Sequence, residues 1–213
     1  MKIIISSFVV LLLMTSCRKD NFNYPKDTVG SSKIIYFASF SMAGNPYSSI
    51  VQGDNYTDPG ATATQNGTEL PVTVTGAVDA TKAGIYTITY SAVNTDGFPA
   101  SVKRVVAVLP SAELPGVDLS GSYFYVGTGA NDAKITKLAP GFYSSENCFG
   151  NLLTLPCLFF CMDGGHLMIP PQPTPYGEMY GTGTLSSTGA LTYLITIESQ
   201  GLFGYPTDWQ RKQ

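Results

Sequence analysis

The sequence predicts an all-β protein. Only 13% of its 213 residues are charged, whereas it contains 22 glycines, 14 prolines and 13 tyrosines. Such a composition favours short strands and turns over charged helices. Two segments, residues 85–92 and residues 191–197, also alternate apolar with polar side chains. A period of two is typical of a strand that has one buried and one solvated face.

The first residues form a targeting segment rather than an element of the fold. Lys2 precedes an apolar run at residues 3–14, and the small residues Thr15 and Ser16 precede Cys17. A short basic start, an apolar core and small residues are typical of a secretory signal. The run is shorter than the ~20 apolar residues that a membrane-spanning helix needs. Residues 1–16 are therefore predicted to be a signal peptide.

The end of this segment indicates an anchor. The residues Met14-Thr15-Ser16-Cys17 resemble a bacterial lipobox, in which the cysteine is lipidated on sulfur and becomes the new N-terminus after cleavage. The resemblance implies lipidation at Cys17 and an outer-membrane location, with the chain exposed on the cell surface; the alternative is an ordinary signal peptide that contains a cysteine. Several acyl chains anchor a protein firmly, because each buried methylene adds about 0.8 kcal/mol.

The charge of the mature chain argues against nucleic acid as a partner. Removal of residues 1–16 takes one of the twelve basic residues, Lys2, and leaves all fifteen acidic residues, for a net charge of about −4. A nucleic-acid surface needs clustered Lys and Arg to neutralise phosphates. The sequence contains no such cluster.

The chain after Cys17 begins with a tether and continues into a first β domain. Residues 17–32 are polar, contain Pro and Gly and lack apolar periodicity, which predicts a flexible tether. Strand patterns then recur between Gly, Asn, Asp and Pro turns over residues 33–110, which predicts a β-sandwich. The predicted strands of this domain include residues 34–37, 72–75, 85–92 and 102–109.

Three motifs of this domain carry a family resemblance. The motifs are residues 53–63, residues 84–92 and residues 94–97, which read GDNYTDPGATA, GIYTITYSA and NTDG. Together they resemble a bacterial surface immunoglobulin-like (Ig-like) repeat, which implies a β-sandwich and says little about chemistry. Tyr56 and Asp58 are the polar candidates of this stretch, and turn or core roles are the commoner use of such residues.

A second β domain is predicted after a short linker. Residues 111–119 contain Pro115 and Gly116 without periodicity, which predicts the linker. Residues 120–213 again show short strand patterns and predict a small antiparallel β-sandwich or barrel-like domain. Residues 208–212 are predicted to form a closing edge strand, whose charges discourage further pairing.

This second domain also carries a resemblance. Its motifs are LSGSY at residues 119–123, KITKLAPGFY at residues 134–143 and DWQRK at residues 208–212. They resemble the C-terminal domain of small surface lipoproteins encoded beside SusC/SusD-type nutrient importers in the Bacteroidetes. The resemblance implies a non-catalytic accessory subunit that captures oligopeptides or glycans for such an importer. A stand-alone adhesin-like module that binds a host or matrix protein is the alternative.

The remaining cysteines leave their redox state open. Cys148, Cys157 and Cys161 follow the anchor, and His166 lies nearby. Residues 157 and 161 of one strand would lie ~13 Å apart, too far for a disulfide, so a disulfide would involve Cys148. A zinc site is disfavoured because the spacing lacks the paired CxxC motifs of common structural sites. We therefore expect neither a metal nor a cofactor.

The sequence gives little support for catalysis. His166 is the only histidine, so a Ser-His-Asp or Cys-His arrangement would have to use it, with Asp163 or Cys161 beside it. The segment at residues 163–166 is instead typical of a turn between two strands. No nucleophile elbow, phosphate loop or dinucleotide motif is present. We therefore expect a protein that is not an enzyme.

Aromatic residues are the best candidates for ligand binding. Several of them lie in or beside Gly- and Pro-rich segments, where side chains can face solvent, and aromatic rings bind sugars and peptide groups well. The alternative is that they fill the core of a small β domain. The candidate ligand-binding residues are Tyr176, Tyr180, Tyr205 and Trp209, and Phe203 lies among them.

Overall fold

The computed structural model describes residues 25–29, 32–127, 132–150 and 153–212. The contacts within the chain separate two compact units, with the boundary after Tyr36. The described part of the first unit contains an antiparallel pair of short strands, β1 (Thr28–Val29) and β2 (Ser32–Lys33). The predicted lipidation site, Cys17, lies outside the described residues.

The second unit begins with a two-sheet sandwich, as the sequence predicts. One sheet has the strand order β3-β5-β6, and the other has the order β4-β9-β8-β7, in which β4 and β9 are parallel. The strands are β3 (Ser39–Met42), β4 (Tyr47–Val51), β5 (Ala61–Gln65), β6 (Thr68–Leu70), β7 (Thr73–Thr75), β8 (Gly84–Val93) and β9 (Pro99–Leu109).

The predicted strand at residues 34–37 is wrong. The first strand of the sandwich begins at Ser39, and residues 34–38 have no regular structure. The apolar side chain of Phe37 has another role. Its ring contacts the ring of Phe98 edge-on, with 5.8 Å between the centroids.

The alternating pattern of β8 is confirmed and explains the sandwich core. Ile88, Tyr90 and Ala92 are buried, while the two residues between them are partly exposed. Strand β9 pairs with β8 along its whole length, and β9 is buried from Val106 to Leu109. The periodicity therefore places one face of this sheet against its partner sheet.

A buried arginine connects the loops of the sandwich. Arg104 of β9 is 1% exposed, and its Nε lies 3.2 Å from Oδ1 of Asp58. The hydroxyl of Tyr90 donates to the same carboxylate, and the Arg104 Nε also donates to that hydroxyl. Burial raises the pKa of Tyr90, so the phenol stays a donor. The guanidinium further donates to the carbonyl oxygens of Ala43, Asn45 and Gly60. Asp58 thus has a structural role.

The rest of the second unit is a closed barrel of eight antiparallel strands. Each strand pairs with the next along the chain, and the last strand pairs with the first. The second domain is therefore the barrel-like alternative of the prediction. The strands are β10 (Gly121–Tyr125), β11 (Asp132–Ala139), β12 (Phe142–Ser145), β13 (Cys157–Cys161), β14 (His166–Thr174), β15 (Gly177–Leu185), β16 (Ala190–Ile197) and β17 (Leu202–Arg211).

The barrel interior is packed with side chains. Leu191, Tyr193, Ile195 and Ile197 of β16 are all buried, which confirms the second alternating strand of the sequence. Interior positions of an eight-stranded barrel are normally filled in this way. Large aromatic side chains occupy much of the volume, among them Tyr123, Tyr143, Phe159, Tyr193 and Trp209.

The predicted closing edge strand is not an edge. Strand β17 pairs with β16 on one side and with β10 on the other. Barrel closure therefore removes the free edge that the charges at residues 208–212 were expected to protect. Asp208 instead accepts a hydrogen bond from the hydroxyl of Thr192 on the outer wall, at 2.7 Å.

Strand β14 shows how a proline-rich segment enters the barrel. Pro170 and Pro171 lie where the register between β14 and β15 shifts, since prolines lack the amide proton that a regular ladder uses. The side chain of Gln172 supplies the missing bonds to β13. Its Oε1 accepts from the amide of Leu158 at 2.9 Å, and its Nε2 donates to the Leu158 carbonyl at 2.8 Å.

The sandwich packs on the outer wall of the barrel. Phe142 of β12 and Phe160 of β13 face out of the barrel and are nevertheless 0% exposed, because Ala107 and Leu109 of β9 cover them. The turn between β11 and β12 comes close to β9, since a Cβ added to Gly141 would lie 2.7 Å from Leu109 Cδ1. This apolar contact joins the two modules within one unit.

The predicted linker, residues 111–119, lies across one end of the barrel, which we call the near end. Leu119 is buried, and its carbonyl accepts a hydrogen bond from the hydroxyl of Tyr123. Glu113 accepts hydrogen bonds from Lys137 Nζ at 2.8 Å and from the hydroxyl of Tyr143 at 2.7 Å. Burial raises the pKa of Glu113, but these hydrogen bonds outweigh it, so the net shift of the pKa is downward.

We expect Glu113→Gln to reduce the free energy of unfolding by about 1–2 kcal/mol at pH 7. A carboxyl group with a lowered pKa in the folded state stabilises the fold above its ordinary pKa of 4.5, and this contribution is lost as the pH falls through the lowered value. The difference between the two proteins should therefore shrink below pH 4.5. Urea unfolding across this pH range measures it, with the exposed Glu69→Gln as the control. A difference that grows on acidification would contradict the assignment.

Candidate functional site

Exposed aromatic side chains cluster at the end of the barrel opposite the near end. This far end is formed by the irregular segments at residues 146–150 and 153–156, the turn between β14 and β15 and the turn between β16 and β17. We define the far rim as Phe149, Tyr176, Phe203 and Tyr205. The exposed fraction is 71% for Phe203 and 40% for both Tyr176 and Tyr205. Exposed aromatic rings on rigid elements are typical of binding surfaces.

The loop that carries Phe149 is held firmly by Asn147. The Asn147 side chain is 2% exposed, and its Oδ1 accepts hydrogen bonds from the amides of Phe149 and Leu155 at 3.0 and 3.1 Å. The next residue, Cys148, is tied to the barrel because its carbonyl accepts a hydrogen bond from the Thr207 hydroxyl at 2.6 Å. The loop therefore fixes the backbone beneath the Phe149 ring.

Phe149 and Tyr205 form the centre of the far rim. Their rings stack with 5.4 Å between the centroids and an angle of 17° between the planes. Tyr205 lies on β17 opposite Ile195 of β16, so a barrel strand positions its backbone. A ring that is stacked on one face and exposed elsewhere has few conformations to lose when a ligand binds, which favours binding.

Tyr176 lies in the turn between β14 and β15. Its amide donates to the hydroxyl of Thr174 at 3.1 Å, and its carbonyl accepts hydrogen bonds from Ser199 Oγ and Gln200 Nε2. Ser199 and Gln200 belong to a 3₁₀ turn (Glu198–Gln200) that leads into β17. The two turns of the far rim are thus connected by hydrogen bonds.

Tyr180 is placed on the outer wall rather than on the far rim. Its hydroxyl donates to Oε1 of Glu198 at 2.6 Å, and this hydrogen bond raises the pKa of Tyr180. Together with Glu178 and Ser199 these side chains line a shallow pocket of about 220 Å³. The pocket is smaller than the ~300–1,000 Å³ of typical small-molecule sites. We therefore interpret its polar side chains as additional contacts beside the far rim.

The prediction that Trp209 contacts a ligand is corrected by its position. Trp209 is 1% exposed and packs in the barrel core, where its ring meets that of Tyr125 edge-on at 5.3 Å. Tyr205, Thr207 and Trp209 alternate along β17 toward the interior, but only Tyr205 is near the end of the strand. The core alternative, which the sequence left open, therefore holds for Trp209.

Phe149 is not among the residues that the sequence predicts to bind a ligand. Residues 148–178 contain no recognisable motif, and the position of Phe149 depends on how its segment folds over the barrel. A usable signal is the buried Asn147 two residues before it, because Asn side chains organise local turns through their own backbone neighbours.

His166 pairs with an acidic neighbour on an exposed turn. Its Nδ1 lies 2.6 Å from Oδ2 of Asp163, and the side chain of His166 is 83% exposed. Hydrogen bonds from the His166 amide, from its ring and from the Gly165 amide lower the pKa of Asp163. Cys161 is the nearest nucleophile candidate, but its thiol is buried and burial raises its pKa. The arrangement therefore stabilises the β13–β14 turn and has no activated nucleophile.

Within the part of the chain that the structure describes, no three His, Cys, Asp or Glu side chains are grouped so that they could hold a metal ion. The geometry gives the reason. The three cysteines are buried in the barrel core, whereas the His166 ring faces solvent.

The three thiols should be unreactive in the folded protein. Cys148, Cys157 and Cys161 are free and at most 3% exposed, and burial and then the neighbouring Cys148 raise the pKa of Cys157. We expect a mature Cys17→Ser chain to show less than one reactive thiol with an aromatic disulfide reagent at pH 8, and three once urea unfolds it. Rapid reaction of the native chain would contradict the burial, and fewer than three thiols after unfolding would reveal a disulfide.

None of the helices in the described residues is long and apolar enough to cross a membrane.

Comparison with known proteins supports the Ig-like assignment of the sandwich. Residues 40–108 match the family described as bacterial surface protein, Ig-like domain. The matched residues begin within β3 and stop one residue before the end of β9, so this sandwich is an Ig-like domain of the kind found in bacterial surface proteins. No curated protein sequence matches the chain.

Among solved structures, the chain is similar to the lipoprotein BT2262 from Bacteroides thetaiotaomicron. The two share 20% sequence identity with a TM-score of 0.41, and the similarity covers 82% of this chain and 100% of that one.

Proposed function

We propose that this protein is a cell-surface lipoprotein of the bacterial outer membrane, anchored through Cys17, that acts as a non-catalytic accessory binding subunit of a SusC/SusD-type nutrient importer. Its ligands are oligopeptides or glycans. The observation that carries the binding role is the far rim, where Phe203 and Tyr205 are exposed on a rigid strand and Tyr205 is stacked on Phe149.

The Ig-like domain acts as a spacer in this proposal. Strand β8 runs for ten residues, about 33 Å, from the end of the sandwich that contacts the barrel to the opposite end. The apolar contact of Phe142 and Phe160 with β9 fixes the barrel on the spacer. The lipid anchor would then hold the far rim at a distance from the membrane. The match to an Ig-like domain of bacterial surface proteins supports this placement.

The chemistry of the far rim suits binding without bond cleavage. Aromatic faces contact the apolar faces of sugar rings or peptide groups through dispersion and CH–π contacts, and the carboxylates of Glu178 and Glu198 can accept hydrogen bonds from ligand hydroxyl or amide groups. The His166 and Asp163 pair belongs to the turn between β13 and β14, at the near end of the barrel. If the protein were a hydrolase, turnover should depend on His166, and His166→Ala would test that.

A stand-alone adhesin-like module remains the second candidate function. The same exposed aromatic side chains could contact a host or matrix protein, because Tyr and Phe are enriched at protein interfaces. The two candidate functions predict different partners in the membrane. An accessory subunit should stay bound to a transporter, whereas a stand-alone adhesin should not.

A mild-detergent pulldown of the tagged, full-length protein from its native membrane, with mass spectrometry of the copurifying chains, separates them. We expect recovery of a β-barrel transporter and its lid lipoprotein. Recovery of the protein alone, despite intact lipidation at Cys17, would contradict the accessory role and favour the adhesin. A Phe203→Ala, Tyr205→Ala double variant is the control, because a far rim that binds cargo should leave recovery of the transporter unchanged.

A further inference from the structure

The end of the Ig-like domain away from the barrel exposes apolar side chains. We define the tether pole as Phe37, Val93 and Phe98, whose exposed fractions are 58%, 54% and 42%. Phe37 and Phe98 are in edge-on contact with 5.8 Å between their ring centroids. Apolar side chains that stay in water do not gain the free energy that burial would give them. A cluster of exposed apolar side chains therefore marks a candidate contact surface.

The tether pole is presented rigidly. Phe98 ends a turn that is organised by Asn94, whose Oδ1 accepts hydrogen bonds from the amides of Asp96 and Phe98 at 3.1 and 2.7 Å. The Asn94 amide in turn donates to the Phe98 carbonyl at 3.0 Å. The adjacent amide of Thr95 donates to the side chain of Gln65, which joins this turn to the other sheet.

Strand registers place the tether pole at one extreme of the domain. Val93 pairs with Pro99 at one end of the β8 and β9 pair, and Gly84 pairs with Val108 at the other. Leu109, at the second end, contacts the barrel. The chain enters the domain at Phe37, beside Phe98. The tether pole is therefore the end of the Ig-like domain at which the chain coming from Cys17 arrives.

We propose that the tether pole inserts into the membrane interface beside the lipid anchor. The covalent connection selects this occupant, because Phe37 follows Cys17 by twenty residues, and a chain of that length reaches at most about 70 Å even when fully extended. The tether, residues 17–32, also carries Arg18, Lys19 and Lys26 against Asp20 and Asp27. This excess of positive charge complements anionic headgroups. The proposal rests on attachment at Cys17.

The insertion gives the anchor a second function. Acyl chains alone hold a protein at the membrane but leave its orientation free. Phe98 lies on a rigid turn, and the ring of Phe37 contacts it. Burial of these two rings in the interface would add a second point of contact. The Ig-like domain would then stand on the membrane at its tether pole, with the barrel on its opposite end.

The protein's tryptophan content makes the proposal testable by fluorescence. The chain has a single tryptophan, Trp209, which is buried in the barrel. Phe98→Trp adds a reporter at the tether pole, and Phe37→Trp adds a second one should the first fail to fold. The matched control is Phe124→Trp, at a phenylalanine on the barrel that is 41% exposed. Each mature chain, beginning at Cys17, is coupled through that thiol to a maleimide phospholipid, since the other three thiols are buried.

The vesicles contain dibrominated phosphatidylcholine and phosphatidylglycerol, because bromine quenches tryptophan only within the bilayer. We expect the tether-pole reporter to lose roughly half of its added emission, while the wild-type chain and the Phe124→Trp control lose none. No quenching at either tether-pole position, or equal quenching at the control, would overturn the proposal. Chemical coupling bypasses cellular lipidation, so mass spectrometry of Cys17 in cells tests the anchor separately.

Discussion

Arg104→Met should lower the free energy of unfolding by about 3 kcal/mol or more. Arg104 is almost completely buried, and its loss would leave the carboxylate of Asp58 and several backbone carbonyls without their strongest donor. Methionine preserves most of the side-chain volume, so the effect would report the lost hydrogen bonds and charge rather than a cavity. Urea unfolding of the mature chain measures it.

The matched control for this substitution is Lys103→Met. Lys103 is the preceding residue on β9 and is exposed, so its replacement should change the free energy of unfolding by less than about 0.5 kcal/mol. Equal losses in the two variants would contradict a structural role for the Arg104 cluster. That result would return Asp58 and Tyr56 to consideration as ligand-binding residues.

Phe160→Ala should cost about 3–5 kcal/mol and should uncouple the Ig-like domain from the barrel. Phe160 faces out of the barrel, packs edge-on against Phe142 at 6.0 Å between ring centroids and is covered by β9. Truncation would leave a cavity in the contact that joins the two modules. Thermal unfolding followed by calorimetry should therefore change from one transition to two.

Phe124→Ala is the control, because Phe124 also lies on the barrel but is exposed to solvent. It should leave a single transition and change stability by less than about 0.5 kcal/mol. A single, unshifted transition for Phe160→Ala would contradict the contact between the modules and, with it, the spacer role of the Ig-like domain.

The sequence allows the strands with clean alternation to be predicted, but not how they close. Residues 85–92 and residues 191–197 show a period of two, and both lie in strands with one buried face. Closure of the second domain into a barrel depends on the pairing of β10 with β17, which are about eighty residues apart. Local periodicity contains no information about that pairing, so a sandwich and a barrel remained equally possible.

Strand β14 was not predicted for a definite physical reason. A segment that contains Pro170, Pro171 and Pro173 lacks three amide donors, and such a segment normally argues against a strand inside a sheet. The structure accommodates it with a register shift and with the side-chain amide of Gln172, which bonds to both backbone groups of Leu158. This compensation depends on a tertiary contact that the sequence does not reveal.

The candidate site was predictable in part. Gly- and Pro-rich surroundings correctly indicated exposure for Tyr176 and Tyr205. Trp209 is buried despite similar surroundings, because Tyr205 and Trp209 lie on the same side of β17 and differ only in their depth along the barrel. Depth is set by barrel closure, as is the stacking of Phe149 on Tyr205.

Binding at the far rim is the central claim, and equilibrium capture tests it most directly. The mature chain would be incubated with mixed oligosaccharides and mixed oligopeptides, and the retained molecules identified by mass spectrometry. We predict that the wild-type chain and Phe124→Ala retain the same molecules uncleaved, and that the Phe203→Ala, Tyr205→Ala double variant loses at least about tenfold in affinity. Retention unchanged by the double variant, or products of cleavage, would contradict the account.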